Sequence, residues 1–222
     1  MENRKHTSLK DLAQALGVSI PTVSRALKDS PEISRELCAK AKALAKEMNY
    51  RPNPFAMSLR KNAPRIIGVI VPDIVTHFFA SILNGIENMA IANGYFVIIT
   101  TSHESYEHEK RNIENLVNMR VEGIIACLSQ ETTDFSHISA LKDINMPLIL
   151  FDRVCLTDQF SSVIADGAQS AQMATQHLLD NGSKRVAFIG GANHLDIVKR
   201  RKHGYLEALR ENRIPIEKEL VV

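Results

Sequence analysis

The sequence predicts a small all-α head followed by a larger α/β core with a parallel sheet, and three observations predict it. Lysine and arginine outnumber aspartate and glutamate 12 to 6 in the first 62 residues, but trail them 15 to 19 in the remaining 160. Of the ten glycines, only Gly17 lies in the head. Beyond residue 65, short apolar runs alternate with stretches of helical periodicity, the pattern of buried strands covered by helices on both faces. A composition 45% hydrophobic and 23% charged excludes disordered, collagen-like and disulfide-scaffold classes. The longest apolar run, IIGVIV at 66–71, is far short of the roughly 20 residues that span a bilayer. The opening MENRKHTSLK carries charges and no apolar stretch, so a secretory signal is not expected. Cys38, Cys127 and Cys155, odd in number and widely spaced, suit the reduced thiols of a cytoplasmic protein.

In the head, Leu9, Leu12, Ala13 and Leu16 fall on one helical face, and Gly17 suits the left-handed position that ends a helix. Ser19 is the expected N-cap of a second helix, with Pro21 in its first turn, where amide groups lack partners anyway. Val18, Val23 and Leu27 can face the first helix. After a break at Ser30-Pro31, Ser34 caps a third helix with the stripe Ile33, Leu37, Ala41, Leu44 and Met48, while Lys40, Lys42 and Lys46 face water. Two short helices through a tight turn and a longer support make a helix-turn-helix arrangement. Asn53-Pro54 then reads as an N-cap with proline at N1, opening a helix of two turns at most, too short to be stable alone.

In the core, IIGVIV (66–71) reads as a strand buried on both faces. Phe79, Ile82, Leu83, Ile86, Met89 and Ala90 form a helical stripe closed by Gly94. YFVIIT (95–100), GIIACL (123–128), PLILF (147–151), SSVIA (161–165) and RVAFIG (185–190) are further strands. Helices separate them around Ile113–Val117, near 136–144, up to Asn181-Gly182 and near 197–212. The closing LVV reads as the start of one more strand. Ligands of such sheets bind beyond the carboxyl ends of the strands.

The motifs speak against catalysis. The segment His103-Glu104-x-x-Glu107-His108 lacks the i, i+4 histidine pair of a zincin and reads as a solvated helix start. Gly190-Gly191 matches no phosphate-binding fingerprint, and neither a nucleophile elbow nor a C-x-x-C pair occurs. No catalytic residue, metal ligand or cofactor is therefore expected. Asp73, Asp152 and Asp166 each follow a strand, where they serve as loop charges, as caps or as ligand contacts. Asp152-Arg153 would offer an acceptor and a donor at that end of the sheet.

TSLKDLAQALGVSIPTVSRALKDSPEIS and NYRPNPFAMSLRK closely resemble the DNA-binding head and hinge of the lactose-repressor (LacI/GalR) family. IIGVIVPD, THFFASILNGIE, RVEGIIA, PLILFDR and RRKHGY resemble its effector-binding core, which is similar to periplasmic sugar-binding proteins. The resemblance implies a helix-turn-helix domain at 1–50, a hinge helix or linker at 51–63, a core N-subdomain at 64–164 and a partial C-subdomain at 165–222. The second subdomain of this periplasmic-binding-protein-like core is thus expected to be incomplete, as in a fragment. Ile20, Pro21 and Arg25 take the base-facing positions of the recognition helix; Ser19, Thr22, Ser24 and Asn53 would meet phosphates or cap helices. Ala56 and Leu59 match the hinge motif A-x-x-L, whose leucine wedges into the minor groove. For the effector the resemblance implies Phe78 and Phe79 for stacking, Asp152 for a hydroxyl and Arg201 as a clamp. Thr76-His77 stands where the family usually has asparagine-proline.

The function implied is a cytoplasmic transcriptional repressor that binds a pseudo-palindromic operator as a homodimer and answers to a small effector, a sugar. The competing reading is a solute-binding module without a DNA function; an enzyme on a doubly wound sheet would need a catalytic constellation that the motifs do not supply.

Overall fold

A computed structural model describes residues 7–50 and 65–222. The expected hinge helix, with Asn53, Ala56 and Leu59, lies outside the described residues. The chain divides into two units, Met1–Asn62 and Ala63–Val222.

The first unit holds α1 (Leu9–Leu16), α2 (Ile20–Ala26) and α3 (Arg35–Glu47). Ser8 and Asp11 form a reciprocal capping box at the start of α1, and Gly17 ends the helix at φ 64°, where a side chain would be strained. Ser19 and Ser34 cap α2 and α3, accepting from the amides of Thr22 and Leu37. The small core joins fully buried Leu12 and Val23 to Leu9, Leu16, Leu44 and Met48. A second cluster sets Ala26 against Cys38 and Ala41, so Cys38, which lies off the expected stripe, fills the α2–α3 contact.

The second unit is a five-stranded parallel sheet in the order β2-β1-β3-β4-β5. Its strands are β1 (Ile66–Val71), β2 (Phe96–Thr101), β3 (Gly123–Ala126), β4 (Leu148–Phe151) and β5 (Ser161–Val163). Helices α4 (His77–Ala92), α5 (Tyr106–Asn118), α6 (Ser136–Asp143), α7 (Gly167–Asp180) and α8 (Asp196–Glu211) follow in chain order among them. One core cluster gathers Ile70, Ile113, Leu116, Ile124, Ile138 and Leu150. The other gathers Val69, Val71, Phe79, Leu83, Cys127 and Phe151, so the two clusters cover the two faces of the sheet. The direction of winding reverses between β1 and β3, and sheets of this kind bind ligands beyond the carboxyl ends of the strands at such a switch point.

Three expectations need correction. Met89 is 67% exposed, because Phe79, Leu83 and Ala90 already carry the buried face of α4. The strand expected at 161–165 stops at Val163, where the chain turns toward Asp166, the N-cap of α7. RVAFIG (185–190) forms no extended strand: Phe188 makes one isolated parallel bridge with Val221, and Ile189 is left 84% exposed. Among the described residues its backbone–backbone bonds run to Leu220 and Val222, as from Phe188 N–H to Leu220 O at 2.7 Å, and the Val186 carbonyl accepts from the Tyr205 hydroxyl. Below it, α7 and α8 pack against each other, and Gly204 makes this possible: a Cβ there would lie 1.9 Å from the Ala168 carbonyl oxygen.

Candidate functional sites

In the first unit, the position of α2 follows from its own periodicity. Val23 and Ala26 are fully buried against α1 and α3, which turns Ile20, Pro21 and Arg25 outward together. Ile20 keeps 41% of its surface exposed. Ser19 Oγ accepts from the Thr22 amide at 3.3 Å and shares a 2.8 Å hydroxyl contact with Thr22, so both are committed to the cap of α2; Ser24 is half-buried. One residue was missed by the sequence reading. Glu32, in the loop after α2, holds Arg25 in an ion pair, Nη1 to Oε2 2.6 Å, with 51% and 64% of the two side chains exposed. The signal available was an acid seven positions after the arginine, across a turn set by Pro31.

In the second unit, the four effector candidates separate. Thr76 caps α4, accepting from the Phe79 amide at 3.4 Å, so Thr76-His77 opens a regular helix in place of the usual asparagine-proline. Phe79 is buried 6.4 Å from the Phe151 ring, whereas Phe78 is half exposed, edge-on to Phe79 at 5.1 Å. Asp152 sits past β4 in the left-handed region at φ 58°. Burial pushes its carboxyl above the ordinary aspartate value, and the charges of Arg153 and Arg201 oppose the rise. Asp152 and Arg201 line one small crevice together with Gly167 and Arg200; its volume, about 20 Å³, admits roughly one water. Neither phenylalanine lines that crevice. Asp73 and Asp166 are structural, the first closing a turn to the Val75 amide and the second capping α7.

Arg153 does not offer a free guanidinium beside Asp152. It turns to Glu104, Nη1–Oε2 2.6 Å and Nη2–Oε1 3.0 Å, and also donates to the Leu128 carbonyl. The segment expected to be a solvated helix start is thus half tied down, with His103 and Glu104 both at positive φ. A larger cavity of about 290 Å³ lies alongside, bounded by Leu128, Phe135, Arg153, His194, Lys199 and Arg200 among others.

Beneath this loop lies a polar cluster that the sequence reading did not find. Glu109, fully buried in α5, accepts from the amide and hydroxyl of Ser129 and from the hydroxyl of Thr132 at 3.0 Å. His137 Nε2 stands 2.8 Å from its other side, and Tyr106 packs edge-on to that imidazole at 5.1 Å. The signal was present: Glu109 lies four residues before Ile113, in line with the apolar stripe of α5. Among the described residues no cluster of His, Cys, Asp or Glu could hold a metal ion, and no helix is long and apolar enough to cross a membrane.

Two family models match the chain. Residues 65–222 match the periplasmic binding proteins and sugar binding domain of the LacI family, and residues 8–53 match the bacterial regulatory proteins of the lacI family. Catabolite control protein A of Priestia megaterium is 32% identical over 98% of this chain and 65% of its own length. The ribose operon repressor of Bacillus subtilis (strain 168) is 31% identical over 95% of this chain and 62% of its own. Among solved structures, a lac repressor dimer bound to operator and the anti-inducer ONPF superposes with a TM-score of 0.75 at 26% identity, covering 95% of this chain and 64% of that one. The chain thus spans less than two thirds of the length of these relatives.

Proposed function

The chain belongs to the LacI family of bacterial regulatory proteins, and on that premise we propose that it is a transcriptional repressor that binds a pseudo-palindromic operator as a homodimer under the control of a small effector. The observation that carries the reading is the outward row Ile20, Pro21 and Arg25 on a helix whose opposite face is fully buried. A helix presented this way can enter the major groove and donate two hydrogen bonds from one guanidinium to guanine O6 and N7. Ile20 and Pro21 offer apolar contact to a thymine methyl. Ser19 and Thr22 hold the helix N-terminus toward phosphates, with Ser24 and the hinge residues Asn53, Ala56 and Leu59 as further DNA contacts. The excess of basic over acidic residues in the head supports a polyanionic partner.

Effector control belongs to the second unit. Asp152 and Arg201 already share a crevice and pair an acceptor with a fork of donors suited to vicinal hydroxyls, which points to a sugar; exposed Phe78 supplies a stacking face at the same end of the sheet, with Phe79 behind it. Exposed Met89 on α4 and exposed Phe96 and Ile99 on the edge strand β2 supply apolar surface of the kind a second copy covers. The reading gives the chain no catalytic step and no cofactor, and places it with the DNA in the cytoplasm.

Selection of binding sites from random DNA tests the reading. The parent chain should return a two-fold symmetric consensus, with affinity falling steeply as salt rises. Arg25→Ala should lose about 1–3 kcal/mol of discrimination at one base pair of each half-site. An unstructured selection, or an unchanged preference in the variant, overturns it.

A further inference from the structure

We propose that His194 is a latch: its hydrogen bond to the Gln130 carbonyl holds residues 165–222 against residues 65–164, and it must break before a sugar-sized molecule can reach Asp152 and Arg201. This role rests on the effector reading of those two residues, to which it adds a control of access.

The two stretches of chain pack separately. Ile70, Leu116, Ile124 and Leu150 belong to the core of the first, and Val186, Tyr205 and Leu209 to the core of the second. Among the described residues no apolar cluster draws its buried members from both. Among the same residues, the bond from His194 Nε2–H to the Gln130 carbonyl, at 2.7 Å, is the one hydrogen bond or ion pair that joins them.

The gap between them holds the residues read as effector contacts. The cavity of about 290 Å³ has Leu128, Phe135 and Arg153 on one wall and His194, Lys199 and Arg200 on the other, so the latch crosses from wall to wall. Neither Asp152 nor Arg201 lines that cavity. They line the crevice of about 20 Å³, Asp152 from the first stretch and Arg201 from the second, and the charge of Arg201 acts on the Asp152 carboxyl. A sugar needs far more room, since small-molecule sites begin near roughly 300 Å³. The walls must therefore part, and without a shared core the His194 bond is the polar contact that parting breaks.

One side of the latch is braced and the other is free to move. The Gln130 amide donates to Glu104 Oε2 at 2.7 Å, and the same carboxylate takes two bonds from Arg153. Glu109 pins Ser129 and Thr132 to either side of Gln130. His103 and Glu104 both take left-handed φ, 52° and 61°, a conformation that persists only where surrounding contacts hold it. The Gln130 carbonyl is thus a fixed acceptor. His194, by contrast, is exposed, on a turn closed by the Leu195 amide to the Ala192 carbonyl at 3.1 Å. An exposed hydrogen bond adds little net stability, so this one can open and close without unfolding either side.

Carboxyl labelling of the full chain with a water-soluble carbodiimide and glycine ethyl ester, read by peptide mass spectrometry, tests the latch. His194→Phe keeps a ring and removes the donor; His194→Gln keeps a donor close to the place of Nε2. Relative to exposed Asp143, labelling of Asp152 should rise about fivefold in His194→Phe, the factor equivalent to a hydrogen bond of about 1 kcal/mol, and stay within about twofold of the parent in His194→Gln. Buried Glu109 should remain unlabelled in parent and variants, which shows the loop at 128–135 intact. A rise below about twofold in His194→Phe, an equal rise in both variants, or labelling of Glu109 alongside Asp152 each overturns the latch. Operator binding is measured in parallel: its absence from parent and variants, with the labelling as expected, would overturn the regulatory reading and leave the latch standing.

Discussion

Removing the Glu109 carboxyl should loosen the loop at 128–135 more than any other single change at the carboxyl end of β3. Glu109 is fully buried and serves four donors, the amide and hydroxyl of Ser129, the hydroxyl of Thr132 and the imidazole of His137. Only one of these has somewhere else to go in Glu109→Ala. The Ser129 hydroxyl already lies 3.2 Å from the Ser105 carbonyl, whereas the imidazole proton finds no partner on either nitrogen. The Ser129 amide, the Thr132 hydroxyl and the imidazole are left orphaned, and three donors at about 1–3 kcal/mol each predict a loss of at least about 3 kcal/mol. Glu109→Gln keeps one oxygen for Ser129 and turns an amide toward Thr132 and His137, both able to accept. The imidazole proton then sits on Nδ1, which has no partner, so this variant should lose only about 1–2 kcal/mol. Urea unfolding gives the two losses, and hydrogen exchange read by mass spectrometry shows whether protection falls first in the loop. Equal losses in the two variants, or less than about 1 kcal/mol for alanine, would refute the accounting of donors.

Leu12→Ala, in the small core of the first unit, should cost about 2–5 kcal/mol and unfold the head while the exchange pattern of the sheet stays unchanged. Gly204→Ala puts a methyl 1.9 Å from the Ala168 carbonyl oxygen, so α7 and α8 must part; a loss at or above about 3 kcal/mol is expected in thermal unfolding, and a neutral result would contradict the close approach. Asp152 has a raised folded-state value, so its contribution is complete at acid pH and is lost as pH climbs through that value. Asp152→Asn should therefore match the parent in melting temperature near pH 3 and exceed it at pH 7, and parallel pH profiles would sink the assignment. Glu32→Gln frees Arg25 and should raise affinity for non-operator DNA more than for operator, as read from salt-dependent binding to both; an equal change would count against the pair's involvement.

Local signals made the head and the order of elements legible. Ser19, Ser34 and Gly17 punctuate the head as helix caps do, and the continuous apolar run IIGVIV, alternating with helical stretches downstream, marks a strand buried on both faces as in a parallel sheet. What escaped depends on neighbours remote in sequence. RVAFIG has the composition of a strand, but a strand also needs a paired ladder, and only Val221 supplies a bridge. Phe78 and Phe79 are alike in sequence, and the 100° between them on α4 sends one to the core and the other outward. Arg153 pairs with Glu104 across 49 positions, and Glu109 gathers its donors from 20 to 28 residues away. Charges read one at a time as solvated were already engaged by others.

The Arg25–Glu32 pair bears on how such a head would travel along DNA. Arg25 faces the bases rather than the strand backbone, so at a site without a guanine in the right place its guanidinium would find no pair of base acceptors and would keep its carboxylate. Only a correctly placed guanine offers two acceptors in exchange. A head built this way would slide with its reading group folded back, insensitive to the bases it passes, and would engage only at a match. The same glutamate that lowers its grip would thereby keep the search fast.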